Sequence, residues 1–271
     1  MQKKLIYLQL TDLHLNYLSE ENLSDFYKQL NTFDGEGLFI TGDTSTGSQL
    51  IYHIERLAQE VRKNIYFVLG NHDYYHSSFK ETEKNIARLT EKYSNLRYLT
   101  KEKVTPISPK TALIGHAGWY DARWRDPWTS MVFIIDWYYI KDFRILYTFG
   151  DCLALARERA DKSAKIIEKR LLEALSKFDT VYLLTHFPPW PDKSSTLWRK
   201  ITKDFWMPYN SSKVMAEMLE KVMKNYPEKK LIILAGHTHK KRDEQIAPNV
   251  ILRVGQASFG KVYLDDIYEI D

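Results

Sequence analysis

One cysteine among 271 residues leaves Cys152 without an intrachain partner, so no disulfide framework holds this chain and a reducing, cytoplasmic setting is expected. Cys152 has no evident activating neighbour and is read as an inert packed thiol at the head of a helix. Long apolar runs are missing too: none reaches the ~18 residues that cross a bilayer, so no membrane partner is expected. The Leu5–Leu10 run behind Met1-Gln2-Lys3-Lys4 resembles the start of a secretory signal, but Gln9 breaks it, Asp12 ends it and no small-residue cleavage site follows. Charge of one sign is scarcely in excess. The balance is 39 Lys+Arg against 35 Asp+Glu, a formal +4 spread along the chain. That suits a small anionic substrate and lacks the clustered basic face of a nucleic-acid binder, which makes nucleic acid the less favoured partner. Repeats, low-complexity tracts and linker-like stretches are absent. With 44% apolar and 27% charged residues, disorder is excluded and one domain over residues 1–271 is expected.

Short apolar runs alternate with helical periods through the first third. Strands are predicted at Lys4–Leu10, Leu38–Thr41 and Ile65–Leu69, and helices at Glu20–Leu30, Leu50–Arg62 and Glu81–Tyr93. Such alternation implies βαβ units and a largely parallel sheet. From about Arg97 the runs shorten around Pro106 and Pro109, as a second sheet or an antiparallel extension would require. Residues 117–150 are rich in aromatics and read as an insertion or cap. A long amphipathic helix follows at Asp151–Leu175, then strand Val181–Leu184, helix Ser212–Lys224, strand Leu231–Leu234, and closing strands Val250–Val254 and Lys261–Ile270.

Five polar clusters each follow directly on an apolar strand. They are Asp12-Leu13-His14, Gly42-Asp43, Gly70-Asn71-His72-Asp73, Thr185-His186 and Gly236-His237-Thr238-His239. Functional groups in α/β sheets gather outside the carboxyl ends of strands, so clusters far apart in sequence can converge there. Asp-x-His alone is weak evidence. Gly-Asn-His-Asp would arise by chance roughly once in a thousand such chains. The residue types fit metal binding: carboxylates take hard cations, and imidazole selects Mn, Fe, Zn or Co over Ca. On an extended backbone His237 and His239 would point to opposite sides, toward two adjacent ions. The two oxygens of Asp43 can bridge ions ~3.5–4 Å apart, a spacing suited to phosphoryl transfer. Glycines ahead of Asp43, Asn71 and His237 let the chain leave the strand sharply.

The ordered set Asp-x-His, Gly-Asp, Gly-Asn-His-Asp, His and Gly-His-x-His resembles the calcineurin-like metallophosphoesterase superfamily (the purple acid phosphatase-like dimetal phosphoesterases) from Asp12 to His239. The resemblance implies an α/β fold of two face-to-face β-sheets flanked by α-helices, in four layers. It implies two divalent or trivalent metal ions, with Mn, Fe or Zn foremost. Asp12, His14 and His239 would hold the first, Asn71, His186 and His237 the second, and Asp43 would bridge. The implied reaction is hydrolysis of a phosphomonoester or phosphodiester by a metal-bound hydroxide, with His72 as general acid and Asp73 orienting it. Gly115-His116-Ala117-Gly118-Trp119-Tyr120-Asp121 resembles a further block of one bacterial branch, which fixes no substrate.

Blander readings compete. A lone histidine is more often a hydrogen-bonded core group than a ligand, and only the joint pattern reverses this for His14, His72, His186, His237 and His239. His53 is read as packed or surface, His76 as a pocket candidate at best. The seven tryptophans, all between Trp119 and Trp206, are read first as packing and second as a cap over the substrate. His116, Arg123 and Arg125 are candidate substrate contacts, the arginines because guanidinium forks suit phosphate. Lys240-Lys241-Arg242 reads as a solvated loop. Two rival functions remain: a metal-dependent nuclease, and a non-catalytic scaffold binding an unidentified protein. The scaffold reading predicts lost ligands, and all seven ligand positions and His72 are intact.

Overall fold

The N-terminal apolar run becomes β1 (Leu5–Leu10), and helices and strands then alternate: α1 (Glu20–Thr32), β2 (Gly37–Thr41), α2 (Gly47–Glu60), β3 (Asn64–Val68), α3 (Phe79–Lys92) and β4 (Leu96–Tyr98). This is a computed structural model, and it describes residues 4–130, 132, 134–192, 205–264 and 266–271. Met1–Lys3, the head of the signal-like run, and Trp198 lie outside them. Helix starts follow local chemistry. The hydroxyls of Ser19 and Ser78 accept the backbone N–H of Asn22 and Glu81, a cap contribution of about 1 kcal/mol each.

The chain continues through β5 (Thr105–Pro106), β6 (Thr111–Gly115), short helices α4 (Ile135–Tyr139) and α5 (Lys141–Arg144), and the long α6 (Phe149–Leu175). It then runs through β7 (Thr180–Leu184), α7 (Lys213–Lys224), β8 (Lys230–Ala235), β9 (Arg242–Ala247), β10 (Val250–Val254) and β11 (Asp266–Ile270). Two mixed sheets result, ordered β11-β1-β2-β3-β4 and β5-β6-β7-β8-β10-β9. Tyr7, Phe39 and Val68 of the first meet Leu113, Leu184 and Leu234 of the second in an apolar seam. Because strand side chains alternate, the opposite faces are apolar too and need covers. Residues of α1, α2 and α3 cover the first sheet, and those of α6 and α7 the second. The predicted four-layer α/β arrangement is therefore observed.

Three details differ from the sequence reading. β4 pairs in parallel with β3 and belongs to the first sheet, so the second begins at β5 rather than near Arg97. The two closing strands part company: β10 lies beside β8, while β11 returns to pair antiparallel with β1. β9 was not expected. Its sequence, Arg-Asp-Glu-Gln-Ile-Ala, is that of a polar edge strand with little buried surface. Arg242 accordingly is no loop residue: it opens β9, is 6% exposed and donates to the Trp190 carbonyl. No helix among the described residues is long and apolar enough to cross a membrane.

His53, on α2, is buried with Nδ1 unpartnered, and burial lowers its pKa to about 4. The unfolded chain takes up a proton near pH 6.5 that the folded one refuses, so this contribution is complete above 6.5 and is lost as pH falls toward 4. For metal-free protein, His53→Leu should reduce the stability lost between pH 7 and pH 5 by about 2 kcal/mol. Urea unfolding at both pH values measures it. Equal losses for both proteins would refute the buried neutral imidazole.

Candidate metal centre

All five strand-end clusters meet at one edge of the two sheets. Asp12, Asp43 and Asn71 follow β1, β2 and β3 of the first sheet, and His186 and His237 follow β7 and β8 of the second. Backbone bonds tie these turns together: Asp12 N–H to the Gly42 carbonyl, His14 N–H to that of Asp43, and Gly236 N–H to that of His186, each at 3.0 Å. Seven non-glycine residues among those described have left-handed backbone, and five of them are Asp12, His14, Asp43, His237 and His239. Such conformations cost of order 1–3 kcal/mol each and persist where the surroundings impose them. The strain is concentrated at the site. It also replaces the extended geometry assumed for His237-Thr238-His239, where φ is 70° and 56° at the two histidines.

The donor atoms are close, and Asp12, His14, Asp43, Asn71 and His186 are buried. Asp43 Oδ2 lies 3.5 Å from His186 Nε2, 3.9 Å from His72 Nε2 and 4.0 Å from His14 Nε2. Asp12 Oδ1 is 3.3 Å from His239 Nε2, and His186 Nε2 is 3.0 Å from Asn71 Oδ1. His237 sits with its ring 5.1 Å from that of His186, and its backbone N–H donates to the Asp12 carboxylate. Three side-chain groups are near enough to share an ion: Asp12, His14 and His239; His14, Asp43 and His72; Asp12, Asp43 and His186. Outer partners fix the rings. His186 Nδ1 faces the Thr41 carbonyl at 2.9 Å and His237 Nε2 the Tyr209 carbonyl at 3.3 Å, which sets each tautomer and turns the other nitrogen away.

Electrostatics agree with a cation site. Burial lowers the pKa of His14 to about 4 and that of His237 to about 3, leaving both neutral at pH 7 as ligands must be. Burial also opposes charge on His186, yet Asp43 and Asp12 outweigh it and raise its pKa to about 9. Positive charge is thus demanded between these carboxylates. Asp43 is held well below the usual carboxylate range, burial being overcome by His186, His72 and His14. The nitrogens of His14 and His239 face each other at 3.3 Å, and buried His14 Nδ1 has no partner. This donor set fits metal ions.

The profile of the calcineurin-like phosphoesterases matches residues 6–241, nearly the whole chain. The chain belongs to that family. Three similar solved structures show the fold alone at this identity: phosphopantetheinyl hydrolase from Mycobacterium tuberculosis (TM-score 0.63, 12% identity, 94% of this chain and 91% of that one), a dimetal phosphatase from Danio rerio (0.56, 12%, 93% and 87%) and TT1561 of Thermus thermophilus (0.54, 11%, 94% and 90%). Sequence comparison with curated proteins gives no significant match.

Other candidate residues of this calcineurin-like phosphoesterase fall elsewhere. Asp73 does not orient His72. Its carboxylate accepts the backbone N–H of Ser45 at 3.0 Å and of Gly70 at 2.8 Å, clamping the turns after β2 and β3 together. Burial and the nearby Asp43 charge raise its pKa to about 8 against those two bonds. Arg123 forms a fork with Asp161 at 2.6 and 2.9 Å and reaches Asp121 at 3.5 Å, so its guanidinium is engaged in structure rather than offered to phosphate. Arg125 lies half-buried two residues further along the same loop. His116 accepts the Gly118 N–H on Nδ1 and lines a cleft of about 690 Å³ between α3 and α6 that shares no lining residue with the centre. His76 packs against Tyr139. Trp119 is fully buried, whereas Trp128 is 68% exposed, so packing explains only part of the aromatic segment.

Sequence reasoning missed Phe259, half exposed, whose ring stands 4.5 Å from that of His14 and 5.3 Å from that of His239. It missed Asp136 and Tyr75, which bond Asn71. Gly70 has a sharper reason than turning. A Cβ there would collide with Asp43 Oδ1 and lie 2.6 Å from Asp43 N and 2.7 Å from His186 Cε1. Gly70→Ala should weaken metal binding about tenfold or more, by titration calorimetry. Unchanged affinity would show that Asp43 can move freely.

Proposed function

We propose that the chain hydrolyses a phosphomonoester or phosphodiester with two metal ions, of which Mn, Fe and Zn suit the mixed oxygen and imidazole donors best. The observation that supports this is the place of one buried carboxylate: Asp43 Oδ2 lies 4.0 Å from His14 Nε2 and 3.5 Å from His186 Nε2, where it would be shared between an ion held by Asp12, His14 and His239 and one held by Asn71, His186 and His237. Bound ions supply positive charge to the phosphoryl oxygens and lower the pKa of water. The chain's own residues do the rest. Asp43 and Asp12 balance that charge, and Thr11, whose hydroxyl bonds Asp12, and the Thr41 carbonyl hold the ligands in place. His72 stands at the open side, about a quarter exposed, with its backbone N–H on Asp43 Oδ1 at 2.8 Å. From there it gives a proton to the departing oxygen. Tyr75 packs against its ring at 4.3 Å. Phe259, and Tyr17 beside it, offer an apolar wall to the organic part of the substrate.

Metal-free protein reloaded with Mn²⁺ and given p-nitrophenyl phosphate, its bis-ester, nucleotides and oligonucleotides tests this. Hydrolysis of a small ester that chelator abolishes is expected. Cleavage confined to oligonucleotides would favour the nuclease, and no turnover of any ester the scaffold.

A further inference from the structure

Asn71 presents an amide, and an amide has two different ends. Its Oδ1 faces His186 Nε2 at 3.0 Å. Its Nδ2 donates to Asp136 Oδ1 at 2.8 Å and to Tyr75 Oη at 3.3 Å. Tyr75 in turn donates to the same Asp136 oxygen at 2.7 Å. Asp136 is 5% exposed and forms no ion pair with Lys or Arg among the described residues. A buried carboxylate without a cation is costly unless hydrogen bonds compensate it, and Asp136 receives them from Asn71 and Tyr75, with the Tyr120 hydroxyl as a further partner.

We propose that Asp136 is a positioning residue that fixes which end of Asn71 meets the metal. This rests on the reading of the centre given above. Rotating the amide by half a turn would set Oδ1 against the Asp136 carboxylate, acceptor against acceptor, and turn the NH₂ group toward the cation. Asp136 blocks that state. Its own place does not depend on Asn71. The segment carrying it is fastened to the loop after His72 by His76 N–H on the Tyr139 carbonyl (2.8 Å), Lys141 N–H on the Ser77 carbonyl (2.9 Å) and Phe79 N–H on the Asp142 carboxylate (2.8 Å). The aromatic-rich stretch thereby reaches into the centre through one carboxylate, 65 residues from the ligand it orients.

The test is titration of metal-stripped wild type, Asp136→Ala, Asp136→Asn and Tyr75→Phe with Mn²⁺, with circular dichroism and melting of the metal-free forms to check folding. Asp136→Ala should weaken one of the two sites about 10- to 100-fold, the range for lost outer partners, and leave the other near wild type. Asp136→Asn, nearly isosteric and keeping one acceptor oxygen, should lie between, and Tyr75→Phe should lose a few-fold. If the alanine variant does not fold, the other two decide. Wild-type protein that binds two ions beside variants that bind them identically would overturn this inference alone. Equal weakening of both sites would overturn it as well, by showing general damage. Wild type that takes up no metal would overturn the reading of the centre and this inference with it.

Discussion

Asp43→Asn should yield a folded protein that holds neither ion firmly and has lost at least about 10³-fold in turnover, the scale on which removing a major electrostatic partner acts. The reason is geometric. Asp43 Oδ2 stands within 4.0 Å of imidazole nitrogens from both donor sets. Asparagine keeps the shape and can still accept the His72 N–H that Oδ1 accepts now, so the turn after β2 should survive. What disappears is the charge that both ions would share. Melting gives a second readout: metal at a thousand times its dissociation constant should stabilise wild type by about 4 kcal/mol, and the variant by far less. A variant that retains two ions with ordinary affinity would remove Asp43 from the bridging position.

His72→Asn should separate binding from chemistry. Metal stoichiometry is expected to stay at two while turnover falls by about 10²–10⁴-fold, as for a lost general acid. The competing outcome is specific, because His72 Nε2 is near enough to Asp43 and His14 to act as a ligand itself. Loss of an ion in this variant would make His72 part of the metal set and leave proton transfer to another group. An ester with a very acidic leaving group needs no such proton, and its hydrolysis should suffer least.

The convergence of the five clusters was legible because they come in order at the ends of apolar strands, and strand ends are fixed by periodicity that a sequence displays. His186 needed more: one histidine after Val181–Leu184 is ordinary in itself and gained meaning only from the four other clusters. The left-handed turns at Asp12 and His239 were not legible, since they depend on bonds between loops of different strands. Asp136 escaped notice because no motif surrounds it. Its one local signal is a carboxylate inside the apolar run Ile134-Ile135-Asp136-Trp137, which calls for a buried partner. Arg123 misled for the opposite reason: it looked free, and Asp161, which occupies it, lies 38 residues away on α6. Sheet membership of β4 and β11 is likewise non-local, because pairing of distant strands leaves no mark on either one.

Diffraction from crystals grown with Mn²⁺, recorded near the metal absorption edge, bears most directly on the shared-carboxylate centre. Two anomalous peaks about 3.5–4 Å apart are expected, one against Asp12, His14 and His239, the other against Asn71, His186 and His237, with Asp43 touching both. A single peak, or peaks remote from Asp43, would contradict it.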